Sequence, residues 1–308
     1  MTLKTFLTLL RRESWEHRSL VWLPLLTAAL MVLTALVGTQ VAGGISISLE
    51  GEEHDFFVAL AADPQAQNQL LAVWTGSVVV PILLVTVLVL FFYLLDSLYA
   101  DRRDRSVLFW KSMPVSDAAT VLSKAVTALV AAPLWVWLLS LLTGLLVFGA
   151  VAVKVAGTPM AVLGNFHLGV WFVLQLTILQ NLLIAALWYA PIAAWLLLAS
   201  AWAKRGPFLW AVVPPVLLML FENLAFDTYH VGVFIGYRFS GFFDAMVPGI
   251  VVDADSDEPA AVLQAVRDAY ENLSAASLLA TPDLYLGVVA AVALLWLTTR
   301  LRRWRDEA

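Results

Sequence analysis

Apolar residues run through this chain in long blocks, and charged residues fall almost entirely between them. Apolar windows cover residues 20–42, 71–95, 121–153, 168–203, 207–226 and 284–301. Each reaches the range of roughly 17–25 residues with which a helix crosses a bilayer core. The pattern predicts an all-α polytopic membrane protein with six transmembrane helices. The first window is longer than the roughly 7–15 apolar residues of a cleavable signal, so it is expected to be a retained span. The windows at 121–153 and 168–203 would each be about 50 Å long as straight helices, so they must tilt, kink or protrude. Pro133 and Pro191 each remove a backbone donor and are the natural kink points. No internal repeat is visible, which argues against a transporter assembled from inverted repeats.

Two segments outside these windows carry helical patterns. In residues 1–19, Leu3, Phe6, Leu7 and Leu10 recur at i, i+3, i+4 and i+7, opposite Lys4, Thr8, Arg11 and Arg12. That pattern describes a helix lying in the membrane interface; a plain basic flank to the first span fits equally well. The segment 227–283 contains an apolar stretch from Val231 to Val252 interrupted by Arg238 and Asp244. Charges in mid-membrane cost a few kcal/mol each, about 2.5–3.5 on insertion scales. A re-entrant or interfacial pair of short helices, broken at Gly232, Gly236 and Gly241, is therefore favoured over a seventh span. Val262, Val266, Ala269, Tyr270 and Leu273 then predict an external amphipathic helix.

Composition agrees with lipid as the solvent: 61% of the 308 residues are hydrophobic and 13% charged, against roughly a quarter charged in soluble domains. The net charge of −5 says less than the segregation of signs. Fifteen of the 18 Lys and Arg residues lie before the first window, between the second and third, between the fourth and fifth, or at the C-terminus; Lys154, Arg238 and Arg267 are the exceptions. The positive-inside rule then places both termini in the cytoplasm of a multi-pass chain in the cell inner (cytoplasmic) membrane. Glu50, Glu52, Glu53, Asp55 and Asp63, with ten further carboxylates from Glu222 to Asp283, fall on the outer side.

Candidate chemistry is sparse. There is no cysteine, and His17, His54, His167 and His230 are scattered, so neither a thiolate site nor a histidine-built catalytic constellation such as H-E-x-x-H is available. No G-x-x-x-x-G-K-[ST] phosphate loop is present, so the chain binds no nucleotide through that motif. No nucleic-acid partner is expected. Glu222 and Asp227, near the outer end of the fifth window, are candidates for a substrate pathway, with helix-end carboxylates facing water as the alternative. Gln175, Gln180 and Asn181 in the fourth could bond a neighbouring helix or a cargo.

The stretch from Asp101 to Ser123 places Val107, Leu108, Phe109 and Trp110 together among charges. Such a patch fits docking in a groove of another protein or insertion into the lipid interface. Pro114 ends it, and Ser116 followed by Asp117 signals the start of the third helix. With the basic loop, Pro114, Ser116 and Lys124, the N-terminal amphipathic segment and a long connection before the last span, the chain resembles the permease subunit of the type-two ABC transporters. The resemblance implies that residues 100–120 form a cytoplasmic coupling loop in which Val107, Leu108, Phe109 and Trp110 contact a separate ATPase. It implies that Arg11, Arg12, Glu16 and Arg18 belong to an N-terminal elbow, and that the outer segment closes the exit. It further implies two ATP-binding subunits carrying ATP and Mg, and a second permease chain, identical or related. A non-transporting membrane scaffold shares this topology; an intramembrane enzyme lacks its catalytic residues.

Overall fold

The computed structural model describes residues 3–38, 63–104, 115–157, 167–246 and 274–304, and all regular structure among them is helical. The helices are α1 (Leu3–Glu16), α2 (Ser19–Val37), α3 (Pro64–Arg103), α4 (Asp117–Val126), α5 (Ala132–Val155), α6 (Leu168–Trp202), α7 (Pro207–Phe226), α8 (His230–Met246) and α9 (Pro282–Trp304). A π turn at Thr127–Ala131 joins α4 to α5. Counting α4 to α5 as one, six helices are long and apolar enough to cross a membrane, so the chain is a multi-pass membrane protein.

Local sequence explains where these helices start and bend. Asp63 accepts from the N–H groups of Gln65 and Ala66 at 2.8 and 3.2 Å, and Pro64 occupies the first helical position, where no donor is needed. α3 therefore begins before the apolar window at 71 and runs past its end at 95 to Arg103. Ser116 caps α4 through the Ala119 N–H at 3.2 Å. Pro133 cannot donate, and its ring crowds the carbonyl four residues back. The helix widens to a π turn just before it, with the Ala132 N–H reaching Thr127 O. Gly206, at φ 58°, turns α6 tightly into α7, which opens on Pro207.

The long helices α3 and α6 run parallel and in register. His167 Nε2 lies 3.4 Å from Gln67 Oε1 near one end, and Ser200 Oγ accepts from the N–H groups of Leu98 and Tyr99 at 3.1 and 3.0 Å near the other. The end holding Ser200 is called basal here, and the opposite end distal. α6 is the central helix, packed by α3, α5, α7 and α9, and its fully buried Trp188 and Leu197 mark the core. α7 lies outermost, with Ala211 its one buried residue.

Helix lengths make the distal end stepped. From Ser200 to Leu168, α6 rises about 48 Å, whereas α7 rises about 30 Å and α9 about 30 Å from Arg302 to Pro282. Lys154 Nζ reaches Gly38 O at 2.6 Å, so α2 ends beside the end of α5. α7 and α9 stop lower. Their shelf carries α8 and a 3-10 turn at Ala275–Ala280, held to the flank of α6 where Asn181 Oδ1 accepts from the Ala275 N–H at 3.0 Å. Gln180 Nε2 reaches Ser274 Oγ at 3.4 Å.

One arginine locks α8 down. Arg238 is buried, its guanidinium 4.5 Å from the Trp188 ring and bonded to the carbonyls of Trp188, at 3.4 Å, and Asp283. Trp188 Nε1 returns a 2.9 Å bond to Arg238 O. Gly287 makes the seat: a Cβ there would lie 2.5 Å from an Arg238 nitrogen. Gly287→Ala is expected to unseat the guanidinium and destabilise the fold by about 1–3 kcal/mol, read as a lowered midpoint of thermal unfolding in mild detergent; an unchanged midpoint would refute the lock.

Candidate functional site

The densest polar chemistry sits at the basal end, around a lysine with no exposure to solvent. Lys124 lies in the second turn of α4, set there by the Ser116 cap, and its side chain is fully buried. Glu13 of α1, also buried, meets it at 3.2 Å and accepts from Tyr93 Oη of α3 at 2.9 Å. Asp101, near the end of α3, lies 4.0 Å from Lys124 Nζ and accepts from Arg302 of α9 at 3.0 Å. Arg302 also reaches Asp117 of α4 at 3.3 Å. Arg12 pairs with Glu16 at 2.6 and 2.9 Å and lies 3.9 Å from Asp101. Alongside, Arg102 donates to the carbonyls of Ser200 and Ala203 at 2.7 and 2.8 Å, where the last turn of α6 leaves carbonyls without helical partners and a negative dipole end.

The cluster ties five helices together by charge. Burying an ion costs several kcal/mol, and only close pairing with further hydrogen bonds offsets it. Glu13 supplies both for Lys124. The partners also have a meaningful order along the chain: Asp101 and Asp117 stand on the two sides of the segment joining α3 to α4, and Arg302 holds both. The base of that segment is closed by one side chain from the last helix. Val107, Leu108, Phe109 and Trp110 lie outside the described residues.

The remaining candidates are placed as follows. On α1, Leu9 and Glu13 face the bundle while Leu7, 54% exposed, faces away. Glu13 turns in to its ion pair with Lys124 at 3.2 Å. Arg12 belongs to the cluster; Arg11 and Arg18 are exposed, with the Arg11 guanidinium 4.7 Å from the Trp15 ring. Glu222 accepts from the N–H groups of His230 and Val231, both at 2.7 Å, and from Thr228 Oγ1 at 2.9 Å, and so caps α8. Asp227 is exposed and ends α7 at φ 50°. Asp96 pairs with Arg103 at 3.7 Å. The side-chain amide of Gln175 is buried without a hydrogen-bond partner among the described residues.

Sequence reading missed Glu13, Asp101 and Arg302 as a group. The available signal was carboxylates placed inside the basic flanks, where the positive-inside rule accounts only for the cations. His17 borders the cluster, its ring edge-on to Tyr93 with centroids 4.7 Å apart. Burial, reinforced by the Lys124 ammonium, holds its pKa below the ordinary 6.5, against the opposing pull of Glu13, Glu16 and Asp96. No family model, curated protein or solved structure matches the chain.

Lys124→Met, which strands the Glu13 carboxylate, is expected to cost about 3–5 kcal/mol, and adding Glu13→Gln should recover much of the loss. Unfolding midpoints of the single and double variants in detergent check this; purely additive losses would contradict direct pairing. The unfolded chain takes up a proton on His17 more readily than the folded one. Its contribution to stability is thus present above about pH 6.5 and is lost as pH falls through the lowered folded value. His17→Gln should flatten the dependence of unfolding midpoint on pH across that window.

Proposed function

We propose that this chain is the transmembrane permease subunit of an ATP-driven ABC exporter, working as a dimer with two separate ATP-binding subunits. The observation that carries the reading is the clamp formed by Arg302 on Asp101 and Asp117. The two ends of the segment between α3 and α4 are held to one side chain of α9. Force applied to that segment would reach α3, α4 and α9 directly, α1 through Glu13 and Lys124, and α6 through Arg102. That is the mechanical requirement for driving a helix bundle from outside, with rigid elements displaced as units.

In this reading the basal end is cytoplasmic, as the basic segments there favour. Val107, Leu108, Phe109 and Trp110 are the contact to the ATPase, with the aromatics as anchors. ATP and Mg bind on the partner subunits, whose closure displaces the clamp. α1 is the elbow, and α8 with the 3-10 turn is the re-entrant element, seated on the shelf left by α7 and α9. Arg238 then sits inside the membrane depth without contact to lipid, because Trp188, Gly287 and backbone carbonyls enclose it. Glu222, through its cap on α8, and Asp227 would stand at the exit.

The test is a mild-detergent pull-down of the tagged chain from its native membrane, with ATP hydrolysis assayed on the eluate. An ATPase is expected to co-purify in equal proportion to the permease. The F109A/W110A variant is expected to remain in the membrane and lose it. Full retention of the ATPase by that variant would overturn the coupling assignment, and absence of any ATPase would overturn the permease reading.

A further inference from the structure

The cations of α1 are sorted by face. Arg12, on the side turned to the bundle, has carboxylates at Glu16 and Asp101. Lys4, Arg11 and Arg18 are all exposed, and none has a carboxylate partner among the described residues. Lys4 and Arg11 are seven residues, two helical turns, apart and stack along one line of α1, and Arg18 follows at the junction with α2. The helix is interrupted at His17 and Arg18, where α2 starts with Leu20 N–H bonded to His17 O at 3.0 Å and Trp22 N–H to Arg18 O at 2.9 Å. Leu7 and Trp15 lie beside these cations on α1, and Trp22 stands on the first turn of α2, with exposures of 54%, 64% and 63%. Arg11 is laid over Trp15, which leaves the outer edge of its guanidinium free to donate.

We infer that this exposed surface, Lys4, Leu7, Arg11 and Trp15 of α1 with Arg18 and Trp22 at the start of α2, is a binding surface for anionic phospholipid of the leaflet at the basal end. The alternation decides the ligand. A phosphodiester satisfies guanidinium and ammonium donors, while the acyl chains and glycerol backbone cover leucine and tryptophan at the headgroup boundary. Free inorganic phosphate would leave the apolar half of the surface in water, and an acidic protein segment would compete with a membrane that α2 enters directly. Each cation near an anionic surface adds to its attraction, so three exposed together distinguish an anionic from a zwitterionic leaflet. The inference is independent of the ATPase reading, because it rests on α1 and the start of α2 alone.

The experiment uses the purified full-length chain in mild detergent, with thermal unfolding followed after adding phosphatidylglycerol, phosphatidylcholine or inorganic phosphate. An upward shift in midpoint is expected with phosphatidylglycerol, several-fold larger than with phosphatidylcholine and absent with phosphate. K4Q/R11Q/R18Q is expected to lose the preference. A control with Lys204, Arg205 and Arg300 changed to glutamine is expected to keep it, as is R11K/R18K, which separates loss of charge from a folding defect. Equal shifts with both lipids, a shift with phosphate alone, survival of the preference in K4Q/R11Q/R18Q, or its loss in the control would each overturn the assignment.

Discussion

A lysine ammonium with no access to water must have its charge answered within a few ångströms, and at Lys124 this requirement organises the basal half of the molecule. Glu13 answers it from α1, and Asp101 stands at 4.0 Å as the second carboxylate. Asp101 in turn needs Arg302, and Arg302 brings Asp117. The partners recruit α1, α3 and α9 in turn and return to α4, the helix that carries Lys124. The rotation of α1, the depth at which α9 ends and the closure of the segment between α3 and α4 all follow from satisfying one buried cation. Apolar packing in lipid could not impose this, since helix surfaces there are as well solvated by acyl chains as by each other.

The distal half solves the same problem by other means. Arg238 has no carboxylate partner among the described residues and relies on an aromatic face, two backbone carbonyls and the notch at Gly287. Carbonyl oxygens hold a cation less firmly than a carboxylate does. The basal cluster therefore binds its helices tightly, while the seat of α8 depends on shape complementarity at one glycine. The distal elements are held by Arg238 in its notch at Gly287, by the Glu222 cap on α8 and by Asn181 on the 3-10 turn.

Between the two ends, α3 and α6 act as a parallel pair whose register is pinned near both ends, at Gln67 with His167 and at Leu98 and Tyr99 with Ser200. A small side chain at Ser200 lets the helices approach closely, and its hydroxyl takes up two donors from the neighbouring backbone. α2, α7 and α9 sit outside this pair with much of their surface turned to lipid.

The sequence alone determined that the chain is helical, that six segments can span a membrane, and which segments carry the positive charge, because these follow from additive properties of consecutive residues. It also marked Ser116 as a cap and Pro133 as a site of distortion, both of which act within a turn of their own position. It could not determine that Glu13 and Lys124, 111 residues apart, form a pair, nor that Arg302 closes the segment between Asp101 and Asp117. Nor could it foresee that Leu7 faces outward beside Arg11 while Leu9 turns in. Those facts are pairings between distant helices. A charged residue near a helix end has the same local pattern whether it meets water, a headgroup or a partner, and only the packed bundle decides which.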